Sequence, residues 1–358
     1  MEPVTHFLFG ATMGRAGLNR KTALATVTLT LAAEAPDLDV LSRFGGSAFG
    51  LNHHRGFTHS LLGVPLVAAV VVGFIYLLWR LRGRKTRNPK LPPRWGLLFA
   101  YACLAGLSHI LLDFTNNYGV RAFWPSSEHW VSWDIVFIVD PVILLVLTLG
   151  LIVPALFSLI NEEIGARNKD ARPTGRLAAT VALLAVVAYW GLRDYEHRRA
   201  VDALQSRNYR GADAIRVSAY PYWVNPFRWH GVVETPAFFA SMDVDSLTPE
   251  VDPEAQMQIR YKPEETPVTL AAKKTYLGRV YLSWAQYPIT ETEILENGAT
   301  IDPIENGRAA YVVRFRDLRY DYPGRDARVT LGAMVLLTRD LQVVGEQFGM
   351  RSTSTKNR

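Results

Sequence analysis

Long apolar runs crowd the first half of the chain. Residues 61–79, LLGVPLVAAVVVGFIYLLW, run for 19 positions without a charge. WGLLFAYACLAGLSHILL at 95–112 forms a second run, residues 135–160 a third, and LAATVALLAVVAYWGL at 177–192 a fourth and shortest. A helix rising 1.5 Å per residue needs about 20 residues to cross a ~30 Å hydrocarbon core. The first three runs meet that length, and the fourth does so with its flanks. Ahead of them, residues 4–13 and 21–33 read as two short helices around GRAGLNRK. Arms of about 13 residues reach only about 20 Å, so this hairpin enters a bilayer without having to span it.

After residue 193 the period changes. DYEHRRAVDALQSRN at 194–208 reads as a charged helical connector. HGVVETPAFFASMDV (230–244), KTYLGRVYLSWAQY (274–287), AAYVVRFRDLRYDYP (309–323) and VTLGAMVLLTRDLQVV (329–344) follow with β-branched and aromatic residues between turn signals. They predict strands of a mainly antiparallel sheet, with helical signal limited to ITETEILENG at 289–298 and a disordered end, RSTSTKNR. The fold expected is therefore an α-helical membrane domain over 1–192, a helical hairpin plus four transmembrane helices. A mainly β soluble C-terminal domain over 193–358 follows it.

Charge sets an orientation. The loop RLRGRKTRNPKLPPR at 80–94 carries seven Lys/Arg and NEEIGARNKDARPTGR at 161–176 carries four, whereas 114–133 has only Arg121. By the positive-inside rule both basic loops are cytoplasmic, which puts residues 53–60, the 114–133 loop and the C-terminal domain outside the cytoplasm. The net charge of +6 gathers on these loops rather than on a reading element, so no direct nucleic-acid binding is expected. No short apolar core ends in a small-residue cleavage site, so no signal peptide is predicted. The single cysteine, Cys103, excludes an intramolecular disulfide and any thiolate metal cluster. Trp124, Trp130 and Trp133 in the outer loop suit interfacial anchoring.

Polar residues converge on the proposed outer face: His6, Glu34, Asp37, Asp39, His53, His54, Arg55, His59, His109, Asp113, Asp134 and Asp140. His109 and Asp113 are four apart, so a helix puts both on one side. Asp37 and Asp39 follow a proline that stops the preceding helix. His54 and His59 bracket Gly56, whose bare backbone would let both rings face one centre. Each residue alone could be a cap or a dipole partner. Together they are costly, at on the order of 3 kcal/mol per ionisable group at bilayer depth, unless paired or functional. Imidazole and carboxylate together suit a divalent cation. For Asp140, followed by Pro141 within the third run, packing and a site role both stay open. His230 in FRWHG reads as structural.

The order THFLFG, PDLD, HRGFTHS, HILLD and WDIVFIVDP over about residues 3–145 resembles the YdjM-type family of inner-membrane metal-dependent hydrolases, also described as LexA-binding. That family is distantly similar to zinc-dependent phospholipase C and S1/P1 nucleases. The resemblance implies a bacterial inner (plasma) membrane location and a possible LexA-type partner. Matched residue by residue, it implies a site of His6, Asp37, Asp39, His54, Arg55, His59, His109 and Asp113, without His53. The reaction it implies is hydrolysis of a phosphoester, lipid-linked or a phospholipid, by water activated on one or two divalent ions, Zn²⁺ first among them. Asp37 and Asp39 would divide ligation and general-base duty, and Arg55 would offer its planar fork to a phosphate oxygen. The alternative is a non-catalytic membrane scaffold, or partner-binding protein, whose His/Asp cluster is structural.

Overall fold

The computed structural model describes residues 1–86, 88–163, 175–248, 257–295, 309–322 and 331–349. The expectations for most of the 161–176 basic loop and for RSTSTKNR at 351–358 lie outside them. Two compact units emerge. One comprises Met1–Asp39, Arg55–Glu196 and Pro221–Pro226; the other comprises Val40–His54, His197–Tyr220 and Phe227–Arg358.

The first unit is helical. Helices α1 (Pro3–Arg15) and α2 (Ala25–Glu34) form the hairpin expected from the sequence. Glycine explains how closely they pack. A Cβ on Gly10 would stand 2.7 Å from the Leu29 carbonyl oxygen, and one on Gly14 would stand 2.8 Å from Thr26 Oγ1. This GATMG spacing is the small-xxx-small device that lets backbones meet in membranes. The hairpin packs through Met13, Leu29, Ala32 and Ala33 on α4 (Gly63–Leu81) and α5 (Trp95–Thr115). Helices α6 (Pro141–Glu163) and α7 (Arg176–Gln205) join α5 through Leu112, Ile143, Leu147, Val186 and Trp190.

Helices α4, α5 and α7 are long and apolar enough to cross a membrane, while the apolar part of α6 that the structure describes is Pro141–Phe157. Their outer faces are apolar as well: Val70 on α4 is 73% exposed and Leu177 on α7 is 78% exposed. A helix apolar all round belongs in lipid or in a large core. The third run starts later than its hydropathy suggests. Asp140 Oδ1 accepts from the backbone N–H of Val142 (3.0 Å) and Ile143 (3.1 Å), so Asp140 caps α6 and Pro141 occupies the first turn, where it lacks no bond. Pro141 therefore starts the helix and does not kink it. The connector at 194–208 is not separate, because α7 runs unbroken through it to Gln205.

The second unit holds two four-stranded sheets, ordered β1-β2-β3-β4 and β5-β6-β7-β8. The strands are β1 (Arg216–Pro221), β2 (Arg228–Glu234), β3 (Phe238–Asp245), β4 (Gln258–Tyr261), β5 (Pro288–Ile294), β6 (Tyr311–Asp317), β7 (Ala333–Leu337) and β8 (Val343–Phe348). Among its described residues this unit also holds helices α3 (Ser47–His53), α8 (Pro267–Lys274) and α9 (Tyr276–Trp284). Two expectations reverse here. KTYLGRVYLSWAQY is mostly helix, because Thr266 and Thr275 cap successive short helices whose buried face is Leu277, Val280, Tyr281 and Trp284. ITETEI is strand β5, paired along its length with β6, so cross-strand pairing overrides its local helical signal.

His230 on β2 is fully buried; its Nε2 donates to the Leu318 carbonyl at 2.8 Å, and its Nδ1 has no partner. Burial holds its pKa below the ordinary 6.5. Below about pH 6.5 the unfolded chain therefore binds a proton that the folded ring resists, and stability falls; above it the contribution is fully present. Hydrogen exchange of the β2–β3 hairpin in the intact protein will show less protection at pH 5.5 than at pH 7.5, and His230→Gln will reduce that pH difference. An undiminished difference in the variant would clear His230 of the effect.

Candidate metal centre

Four donors from three segments meet inside the helical unit. Asp37, in the 3-10 segment Ala35–Gly45 after α2, His59, just before α4, and His109 and Asp113 of α5 place one ligand atom each within 4.8 Å of all the others. His59, His109 and Asp113 have no exposure, and the Asp37 side chain keeps 16%. His109 Nε2 lies 2.9 Å from His59 Nε2. Asp37 Oδ1 lies 3.3 Å from His59 Nε2 and 3.6 Å from His109 Nε2. Asp113 Oδ2 lies 3.3 Å from the first and 3.4 Å from the second.

The tautomers follow from the other side of each ring. His109 Nδ1 donates to the Ala33 carbonyl at 2.6 Å, one of the last-turn oxygens that α2 leaves without a helical partner. His59 Nδ1 faces Asp39 Oδ2 at 3.1 Å. Both Nε2 atoms therefore turn lone pairs inward, towards each other and two carboxylate oxygens. Asp113 Oδ2 is buried without a hydrogen-bond partner. One bridging proton would relieve one of these five close pairs, whereas a cation at the centre relieves all of them. The separations, 2.9–3.6 Å, match the edges of a tetrahedron about 3.3 Å long that metal bonds of about 2.0 Å create. Two carboxylates also balance a dication. The residues fit a divalent metal.

Supporting contacts orient the donors. Asp39 Oδ2 also accepts from the Arg55 backbone N–H at 2.7 Å and from Thr58 Oγ1 at 3.3 Å. It is a carboxylate behind a ligand histidine, the arrangement that fixes ring orientation in metal sites. The Arg55 guanidinium, stacked 4.6 Å over Tyr118, bonds Asp113 Oδ1 (2.8 Å) and the Gly119 carbonyl (2.7 Å). Its fork is engaged by the protein, and Arg55 itself takes a left-handed φ of 54° to reach there. His6 stacks on His109 at 3.7 Å, and its Nε2 lies 3.5 Å from Asp113 Oδ1, which also takes the Met1 amino group.

Of the eight residues singled out from the sequence, Asp37, His59, His109 and Asp113 form the donor set, while His6, Asp39 and Arg55 lie against it. His54 closes α3 and is not among the four; Asp134 and Asp140 are not either. Sequence reasoning missed Asn116, whose Nδ2 lies 3.4 Å from Asp113 Oδ1, although its position three after Asp113 was a signal. Trp133 does more than anchor, since its Nε1 donates to Asp194 at 2.8 Å. Glu34, one turn before Asp37, is half-buried; burial and then the charge of Asp37 push its carboxyl up to about 7.

A membrane-associated helical bundle with a His/Asp cluster that could hold a metal ion is the class these features define. The chain belongs to the YdjM inner membrane protein family, whose model matches residues 1–200. It is similar to "Uncharacterized protein YfhP" of Bacillus subtilis (strain 168), with 28% identity over 153 residues, 40% of this chain and 43% of that protein. The chain thus spans less than half the length of that relative. No solved structure matches.

Asp113→Ala or His109→Ala, folded and membrane-inserted, will lose stoichiometric metal by elemental analysis, and Asp39→Asn will weaken metal affinity about 10–100-fold. Full metal retention in both alanine variants would refute the centre.

Proposed function

We propose that the protein is a multi-pass inner-membrane hydrolase that uses a divalent metal, Zn²⁺ first among the candidates, to cleave a phosphoester of a lipid or lipid-linked substrate. The observation carrying this reading is the convergence of two imidazole nitrogens and two carboxylates, one ligand atom each, within 4.8 Å of one another. A metal held by Asp37, His59, His109 and Asp113 would supply Lewis acidity and lower the pKa of bound water towards ~7. Asp39 keeps the proton on His59 Nδ1, and Arg55 with Asn116 steadies Asp113 through its Oδ1. With Asp37 a donor and Asp39 held by His59 and Arg55, the general base is assigned to Glu34, half-buried and electrostatically coupled to Asp37.

Phosphate release from phosphatidic acid and from an isoprenoid diphosphate in mixed micelles tests this. Metal-loaded protein will turn over at least one of them, chelation will abolish turnover and Zn²⁺ will restore it. Glu34→Gln will cut the rate about 10²-fold or more with metal content intact. Metal-loaded protein inert towards both substrates would favour the structural cluster of a scaffold.

The basic loops at 80–94 and 161–176 support four crossings with the site end and the C-terminal region outside the cytoplasm. Reporter fusions at residues 90 and 250 will report opposite sides of the membrane; the same side for both would overturn this orientation.

A further inference from the structure

At the end of the hairpin away from His6 and Asp37, four cations line one pocket of about 400 Å³. They are Arg15 at the end of α1, Arg20 in the turn, Lys90 in the loop before α5, and Arg176 at the start of α7. Among the described residues no carboxylate lines it; Asn19, Asn88 and Leu91 complete the wall. Arg176 is fixed from behind, its Nε donating to the Ala16 carbonyl at 3.2 Å. Like charges gathered this closely repel, and an anion seated among them removes that repulsion.

The same Asn19, Asn88 and Leu91 also line a second, larger groove of about 850 Å³, a volume suited to a ligand chain. That groove runs along the hairpin over Ala11, Val27, Leu31 and Phe7. Phe7 is 51% exposed and Val27 is 48% exposed, so its wall is apolar and open at the surface. A soluble anion would use the cationic pocket and leave the groove bare. An anionic glycerophospholipid uses both, with its phosphate among the cations and an acyl chain along the helices.

We propose that this composite of basic pocket and apolar groove is a binding site for an anionic glycerophospholipid, separate from the metal centre. Basic pockets between membrane helices on the cytoplasmic side recognise lipid headgroups in this way. The headgroup there is not a substrate at the centre: Arg15 and His6 are nine residues apart on α1, about 14 Å of helix. The lipid's role is to hold the turn of the hairpin to the starts of α5 and α7. The proposal does not depend on the metal reading.

Native mass spectrometry of delipidated protein in neutral detergent tests it with three probes: dioleoyl phosphatidylglycerol, dioleoyl phosphatidylcholine and glycerol 3-phosphate. One phosphatidylglycerol will be retained per chain at concentrations where phosphatidylcholine is not. The combined variant Arg15→Gln, Arg20→Gln, Lys90→Gln, Arg176→Gln will weaken retention at least 10-fold while keeping the wild-type unfolding midpoint. Should that variant fold poorly, 0.5 M salt will weaken phosphatidylglycerol retention by the wild-type protein instead. Equal retention of the two lipids, or undiminished binding in the folded variant, would overturn the proposal. Displacement of the lipid by equimolar glycerol 3-phosphate would also overturn it, by assigning the pocket to aqueous anions.

Discussion

Everything at the His/Asp end of the helical unit depends on keeping four electron-rich atoms together where they would otherwise repel. The Nε2 atoms of His59 and His109, 2.9 Å apart, and the carboxylates of Asp37 and Asp113 face inward from three segments. Their surroundings remove the protons that could have reconciled them, through Asp39 on one ring and the Ala33 carbonyl on the other. A buried polar cluster of this kind is strongly stabilised when satisfied and costly when not. A dication satisfies it, and its binding would then contribute to the stability of the helices that supply the ligands.

Backbone packing makes the arrangement possible. Gly10 and Gly14 bring α1 against α2, so the end of α2 delivers both the Ala33 carbonyl and Asp37 to α5. Gly63 does the same for the other approach: a Cβ there would fall 1.9 Å from the Phe57 carbonyl oxygen, so only glycine lets the chain turn from His59 straight into α4. The apolar helices are thus both a membrane segment and the frame for the donors. Their His/Asp cluster sits at one end of the hairpin and a group of cations at the other.

Much of this was legible in the sequence, for physical reasons. Uncharged runs of about 20 residues have few fates besides a membrane, and α4 and α5 follow their hydropathy closely. The four-residue spacing of His109 and Asp113 required only that the segment be helical. Local signals misled where local interactions do not decide. ITETEI carries helix formers but pairs as β5, and KTYLGRVYLSW carries strand formers but is capped into helices by Thr266 and Thr275. The start of α6 was misplaced because hydropathy does not register a cap, and Asp140 is one.

Composition and order alone determined that the first half is apolar helix, that its imidazoles and carboxylates are too many to be incidental, and that a single cysteine cannot build a thiolate cluster. Only the tertiary structure decided which of them act together. Asp37 and Asp39 are two residues apart in one acidic motif, yet one faces the centre and the other faces the back of His59. Arg55, chemically fit to hold a phosphate, is engaged by Asp113 and the Gly119 carbonyl. Spacing along a chain fixes which side chains share a helix face, but the direction of a ring nitrogen is set by what lies behind it, and those partners come from residues distant in sequence.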